Sequence, residues 1–177
     1  MNYITSEVRS FIGRESEPVV AWDPVETGAI RRMAQGIMDD DPVYWDQDYA
    51  STTKFGGVVA PPLYPMHAIR RLPGTPDPLV FSDADPDYDG AGQSHGEGLG
   101  LPPVPIPLTR LINGGNEVEF YAFARPGDRI VATSRYRDIY QKEGSSGPLV
   151  FVITETSYTT EKDSAMLMIS RRIQIFR

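Results

Sequence analysis

The sequence predicts an α+β fold in which an antiparallel sheet wraps around an apolar helix. Three observations carry that expectation. The last third alternates apolar and polar residues in runs separated by short turns, as in "RIVATSRYRDIYQ" (129–141), "LVFVITETSYT" (149–159) and "AMLMISRRIQIF" (165–176), the period of half-buried strands. Helical periodicity is confined to the first half. The most apolar helical block, within "FGGVVAPPLYPMHAIRRL" (55–72), has the composition of a helix that fills the concave side of such a sheet.

From the N-terminus, "EPVVAW" (17–22) reads as a short strand. "WDPVE" then has the form of a helix start, with Asp23 as N-cap, Pro24 at the first helical position and Glu26 three residues past the cap. Ile30, Met33, Ala34 and Ile37 recur at helical spacing, so the helix is expected to run to about Met38. It stops where "MDDDPVYWDQDYA" (38–50) begins. Asp39, Asp40 and Asp41 are thereby set at the negative end of the helix dipole, where carboxylates are disfavoured. Such a placement hints at a job.

A glycine turn leads into the second helix, expected over 58–72. Residues 73–107 hold 8 of the 16 prolines and 6 of the 16 glycines, so regular structure is not expected over most of that insertion. Its Leu79, Val80, Phe81, Leu99, Leu101, Val104 and Ile106 point to a loop that packs. "NEVEFY" (116–121), "RPGDR" (125–129), "EGSSGP" (143–148) and "EKDS" (161–164) supply a further strand and three turns. Residues 1–177 are read as one domain.

Composition narrows the function classes. A net charge of −7 argues against nucleic acid or an anionic membrane as main partner, since both reward basic patches. The chain has no cysteine, which removes disulfides, thiolate metal sites and cysteine nucleophiles. No apolar run approaches the ~18 residues of a membrane span, and the N-terminus lacks the apolar core of a leader. A cytoplasmic protein is expected, without metal or cofactor. There is no phosphate-binding glycine loop and no dinucleotide fingerprint. Of the two histidines, His67 falls in the apolar helix and His95 in the glycine-rich loop; Ser145 and Ser146 sit in a turn with no histidine nearby in sequence.

"GIMDDDPVYWDQDYA", "FGGVVAPPLYPMHAI" and "NGGNEVEFYAFARPGDRIVATSRYRDIYQKEG", in that order and spacing, resemble the MaoC-like hot-dog dehydratases, and most closely their FAS1-type branch. The resemblance covers roughly residues 13–177. It implies a hot-dog fold and chemistry that adds or removes water across the α,β-bond of an acyl thioester on coenzyme A or acyl carrier protein. In that family an Asp and a His, held in a Gly-Asp-x-Asn-Pro-x-His motif, act as acid and base. A backbone N–H in an Ala-His-Gly-Met stretch stabilises the enolate-like oxygen.

Carried over residue by residue, the family's Asp falls on Asp39, its Asn on Asp41 and its His on Tyr44. Ala60 keeps its place, while the family's His and Gly fall on Pro61 and Pro62. A phenol with pKa near 10 is a poor proton shuttle, and proline has no N–H. The resemblance also implies that the acyl thioester lies against Gly57, Val58, Ala60, Pro61, Pro62, Tyr64, Asn113 and Gly114. "DPDYDGAG" and "GLGLPPVPIPLTRLINGGNEVEF" resemble stretches of subunits acting on bulky acyl-CoAs, including steroid side chains. Three readings follow. The first is a non-catalytic subunit that shapes the acyl tunnel beside a second MaoC-like subunit carrying the Asp/His pair. The second is an active homodimeric (R)-specific enoyl-CoA hydratase using Asp39 with Tyr44, and the third an acyl-CoA-binding hot dog without catalysis.

Overall fold

The computed structural model describes residues 1–69, 100–145 and 147–177. His95, Ser146, the apolar residues 79–81 and 99, and the end of the helix expected to reach residue 72 lie outside them.

Among the described residues, five antiparallel strands form one sheet in the order β1-β3-β4-β5-β2. They are β1 (Val19–Val20), β2 (Leu111–Phe120), β3 (Ile130–Gly144), β4 (Gly147–Thr160) and β5 (Met166–Phe176). The three long C-terminal strands lie within a few residues of where alternation puts them. They form a continuous meander, with Ile130 opposite Thr160 and Gly144 opposite Gly147, then Val150 opposite Phe176. Gly147, at φ 121, takes a backbone conformation that only glycine adopts cheaply. The β4–β5 turn is tied by the Thr160 hydroxyl, which donates to Asp163 and accepts from the Ala165 N–H at 3.0 Å.

One face of the sheet carries two apolar clusters. The first gathers Ala132, Tyr158, Leu167 and Met168 from the strands with Ile30, Ala34, Val43, Tyr44, Val59 and Ala60. The second gathers Tyr136, Ile139, Val150, Val152 and Phe176 with Ile4, Val8 and Phe11 and with Leu101 and Val104. The described end of the 73–107 insertion therefore packs on the core, as its apolar residues imply. Between the clusters runs a polar row, Ser134–Thr156–Ser170. Ser134 and Thr156 bond each other there at 2.8 Å, which offsets their desolvation.

The two sheet edges differ. Along β3 the edge is covered by β1, by a Glu15–Arg135 bridge and by the Gly13 and Ser16 N–H groups, which donate to Tyr136 and Ser134 carbonyls at 2.8 Å each. At the other edge, β2 pairs with β5 on one side, and among the described residues no strand lies on the other.

Among the described residues the helices are α1 (Ser6–Arg9), α2 (Thr27–Gly36), α3 (Gln47–Thr52) and α4 (Tyr64–Ala68), with a 3₁₀ turn at Pro42–Tyr44. Two expectations need correction. Helix α2 starts three residues later than "WDPVE" suggests, at Thr27, because Val25 is bound elsewhere. Its N–H donates to Asp128 O at 2.7 Å and its carbonyl accepts from Gly127 N at 2.8 Å, so the segment cannot turn helical. The helix expected over 58–72 is absent from 58–63 and begins at Tyr64. Ala60 and Pro61 each precede a proline, which pushes both out of the helical region. The apolar cover over the first cluster is consequently shared by α2, the 3₁₀ turn, extended residues 58–60 and the short α4.

Candidate active site

Helix α2 delivers the candidate acid. Ile30 and Ala34 bury its inner face, and a Schellman turn ends it: the Asp39 N–H donates to Ala34 O at 3.0 Å and the Met38 N–H to Gln35 O at 3.2 Å. Met38 holds the left-handed position of that turn at φ 57, where glycine is usual. The run of aspartates that follows is largely spent on backbone. Asp39 Oδ1 accepts from the Asp41 N–H at 3.2 Å, Asp41 caps the 3₁₀ turn through the Val43 N–H at 3.0 Å, and Asp46 caps α3 through the Tyr49 N–H at 3.0 Å.

The 3₁₀ turn aims Val43 and Tyr44 inward and leaves Trp45 exposed. Tyr44 meets Asp39, the two positions onto which the resemblance carries the family's His and Asp. Burial, the negative charges of Asp39 and Asp41, and a hydrogen bond to the Asp39 side chain all push the Tyr44 phenol above its ordinary value of 10. Ionising it would set a third negative charge beside two carboxylates in a poorly solvated place. At neutral pH it stays protonated and can hydrogen-bond but cannot act as a base.

Residues 57–61, buried throughout, run extended behind this pair. The Val59 N–H donates to Val43 O at 3.3 Å and the Ala60 N–H to Ala124 O at 2.8 Å. Pro61 and Pro62 have no N–H, and the Tyr64 N–H turns back to Pro61 O at 2.8 Å. The backbone donors of 59 and 60 are thus committed, and those of 61 and 62 do not exist. Arg125 anchors the preceding turn through a 2.7 Å hydrogen bond to Phe55 O.

Two grooves flank α2. One, about 580 Å³, is lined by Arg31, Ala34, Gln35, Met38, Asp39, Asp40 and Trp45. The other, about 430 Å³, lies between α2 and α4, with Met33, Ile37, Tyr64 and His67 among its walls. Of the residues expected to contact substrate, Tyr64 lines a groove, Gly57, Val58, Ala60 and Pro61 are buried, and Pro62 is half-buried. Asn113 and Gly114 stand apart. They form a β-bulge against β5, in which Asn113 Oδ1 accepts from the Gly115 N–H at 2.9 Å. A Cβ on Gly114 would sit 2.6 Å from Ile173 Cγ2. Residue 113 faces Gln174 while Phe120 faces Met168 of the first cluster, so the bulge lies roughly 20 Å along the strand from that cluster.

On the opposite face of the sheet lies a charged cluster that sequence reasoning missed. Glu155 accepts from Arg135, Arg137 and Arg171, and Arg171 reaches on to Glu119, which accepts from the Tyr121 hydroxyl. Burial raises the Glu155 carboxyl, but the guanidinium hydrogen bonds outweigh it and hold the group at about 2. Only strand register brings these residues together, so local sequence gives no signal. Among the described residues no three His, Cys, Asp or Glu side chains are grouped to hold a metal ion, and no helix is long and apolar enough to cross a membrane.

Residues 10–168 match the family model described as the FAS1-like dehydratase domain region. The chain belongs to that family. A curated relative, the UPF0336 protein of Streptomyces avermitilis, is 27% identical over 141 residues, covering 77% of this chain and 76% of its own. Among solved structures, the ChsH1–ChsH2 complex of Mycobacterium tuberculosis is similar at TM-score 0.69 and 18% identity, over 96% of this chain and 93% of that one. A MaoC-like dehydratase of Rhodospirillum rubrum is similar at TM-score 0.58 and 23% identity, over 94% and 92%. The HadBC (3R)-hydroxyacyl-ACP dehydratase complex of M. tuberculosis is similar at TM-score 0.58 and 13% identity, over 93% and 96%. At these identities the likeness establishes the fold, which is the hot dog. The MaoC-like, FAS1-type resemblance read from the sequence is therefore correct.

Proposed function

We propose that this FAS1-like chain is the non-catalytic, tunnel-forming subunit of a heteromeric enoyl-CoA hydratase or 3-hydroxyacyl-thioester dehydratase acting in the cytoplasm. One observation carries the reading: among the described residues the group beside Asp39 is the Tyr44 phenol, and the positions to which the family resemblance gives the oxyanion donor are Pro61 and Pro62, which have no N–H. Hydration needs a base for water, an acid for the α-carbon and a donor for the enolate-like oxygen. Here the group next to Asp39 is a phenol pushed above 10. The stretch that should supply the donor is two prolines preceded by N–H groups already bonded at 3.3 and 2.8 Å. Losing one such donor costs ~10²–10³ in rate.

A homodimer duplicates both defects. A second MaoC-like subunit bringing its own Asp, His and glycine N–H removes them, while this chain contributes sheet and tunnel wall. Two of the similar structures, ChsH1–ChsH2 and HadBC, are complexes, which supports a partnered assembly. The substrate is an acyl thioester of coenzyme A or acyl carrier protein, and the long insertion favours a bulky acyl group.

The test is enoyl-CoA hydration by three preparations: this chain alone, a MaoC-like chain from the same source with an intact Asp-x-Asn-Pro-x-His motif, and the two co-expressed. Activity should need the pair. Full activity from this chain, in a sample shown by mass spectrometry to hold no second polypeptide, would overturn the proposal in favour of an Asp39-dependent homodimer. Acyl-CoA binding that never supports turnover with a partner would point to a binding protein.

A further inference from the structure

The stop of α2 is built against conformational preference. Met38 takes the left-handed position at φ 57, which a glycine would occupy without strain. Its side chain gains no burial in return, being 91% exposed, and Ile37 and Trp45 nearby are 50% and 55% exposed. Strain kept for a side chain that touches little of its own chain is a sign of use elsewhere. Met38, Trp45 and Ala34 form the apolar part of the groove of about 580 Å³, and Asp39 and Asp40 add two carboxylates against the single guanidinium of Arg31.

An apolar groove with excess negative charge fits a cation on an apolar stem. A second copy of this chain has 17 Lys and Arg but 24 Asp and Glu, so at net −7 it would bring an excess of like charge to the same face, and a chain of different sequence fits better. We propose that this groove docks an arginine-bearing segment of the different, catalytic subunit, and the inference rests on the heteromer reading above. The guanidinium lies over the Trp45 indole and reaches the Asp39 and Asp40 carboxylates, while its methylene stem packs on Met38. Arginine suits the place better than lysine because its plane stacks on an indole and its fork pairs with carboxylates. An incoming cation also turns the helix C-terminus from an unfavourable site for carboxylates into a favourable one for the pair.

The experiment has two arms. In the first, the intact-motif MaoC-like chain is titrated with wild type, Met38→Gly, Trp45→Ala and Asp40→Lys. Each variant should weaken binding by about tenfold or more, and Met38→Gly should at the same time raise the Tm of the isolated chain by ~2–4 °C. Unchanged affinity for all three, with hydration intact in the complex, would overturn the docking site and leave the heteromer standing. Hydration by this chain alone would instead remove the heteromer. In the second arm, N-acetyl-arginine amide is titrated into the isolated chain, with Trp45 fluorescence read in a Trp22→Phe background. A saturable response that Asp39→Asn/Asp40→Asn abolishes is expected. A response equal to that of N-acetyl-leucine amide, or none, would count against the groove.

Discussion

A phenol beside a carboxylate can steady it with a hydrogen bond, yet at neutral pH it cannot take a proton from water. That limits Asp39 more than the identity of Asp39 itself does. In the proposed heteromer, Asp39→Asn should therefore stay within about tenfold of wild type, because no acid–base step is removed. A drop of ~10³ or more with folding intact would place Asp39 in the chemistry. Tyr44→Phe makes a matching test. Since the Tyr44 phenol titrates above 10, its loss should leave the pH–rate profile between pH 6 and 9 unshifted; a displaced limb would reveal a working Asp39–Tyr44 pair. The pairing of these two positions came from the family resemblance, which sets the family's Asp on Asp39 and its His on Tyr44. The use of the neighbouring aspartates was only half legible: a helix-end placement suggested a task, whereas the caps made by Asp41 and Asp46 depend on where the short turns begin.

Strands were easier to read than helices, and the reason is physical. Strands β3, β4 and β5 are 15, 14 and 11 residues long and alternate over much of that length, so no single local preference can overturn them. "WDPVE" is five residues long, and a pair of hydrogen bonds between Val25 and the 125–128 turn was enough to override it. At 58–63, two prolines outweighed apolar composition. What alternation does not give is lateral register, and register makes both the Glu155 cluster and the bulge at Asn113–Gly115. Two tests belong here. The Glu155 carboxyl is held at about 2, below its unfolded value near 4.3. Its stabilising contribution is full above about pH 5 and is lost as pH falls through the folded value. The urea midpoint should thus fall between about pH 5 and pH 2, and less steeply in Glu155→Gln; equal slopes would deny the cluster a role in stability. Gly114→Ala should cost ~1–3 kcal/mol, because its Cβ would also lie 3.0 Å from the Ile173 carbonyl oxygen, a backbone atom that cannot step aside. Ile173→Ala in the same chain should recover part of that loss by removing Cγ2.

At the scale of the whole molecule the two edges of the sheet decide how it can assemble. Residues 13–20 close the β3 flank, whereas β2 offers ten residues with pairing on one side only among the described residues. Its side chains include the exposed Phe120. An edge that long, without an interior proline or lysine to blunt it, invites another strand. If β2 joins the partner's sheet, proline scanning of neighbouring positions should separate folding from assembly. Asn116 and Glu117 are both exposed, so neither substitution disturbs the core. In an antiparallel strand adjacent residues turn their N–H groups to opposite sides. One of Asn116→Pro and Glu117→Pro must therefore break a bond to β5 and lower stability. The other removes only an outward-facing donor, and places a proline ring where the incoming strand would lie. The second variant should keep the wild-type Tm to within a few degrees and yet fail to form the heteromer in sedimentation. It should lose hydration along with assembly, since the catalytic partner would then lack its tunnel wall. If both variants assemble as wild type does, β2 is not the joining edge and the subunits must meet through another face.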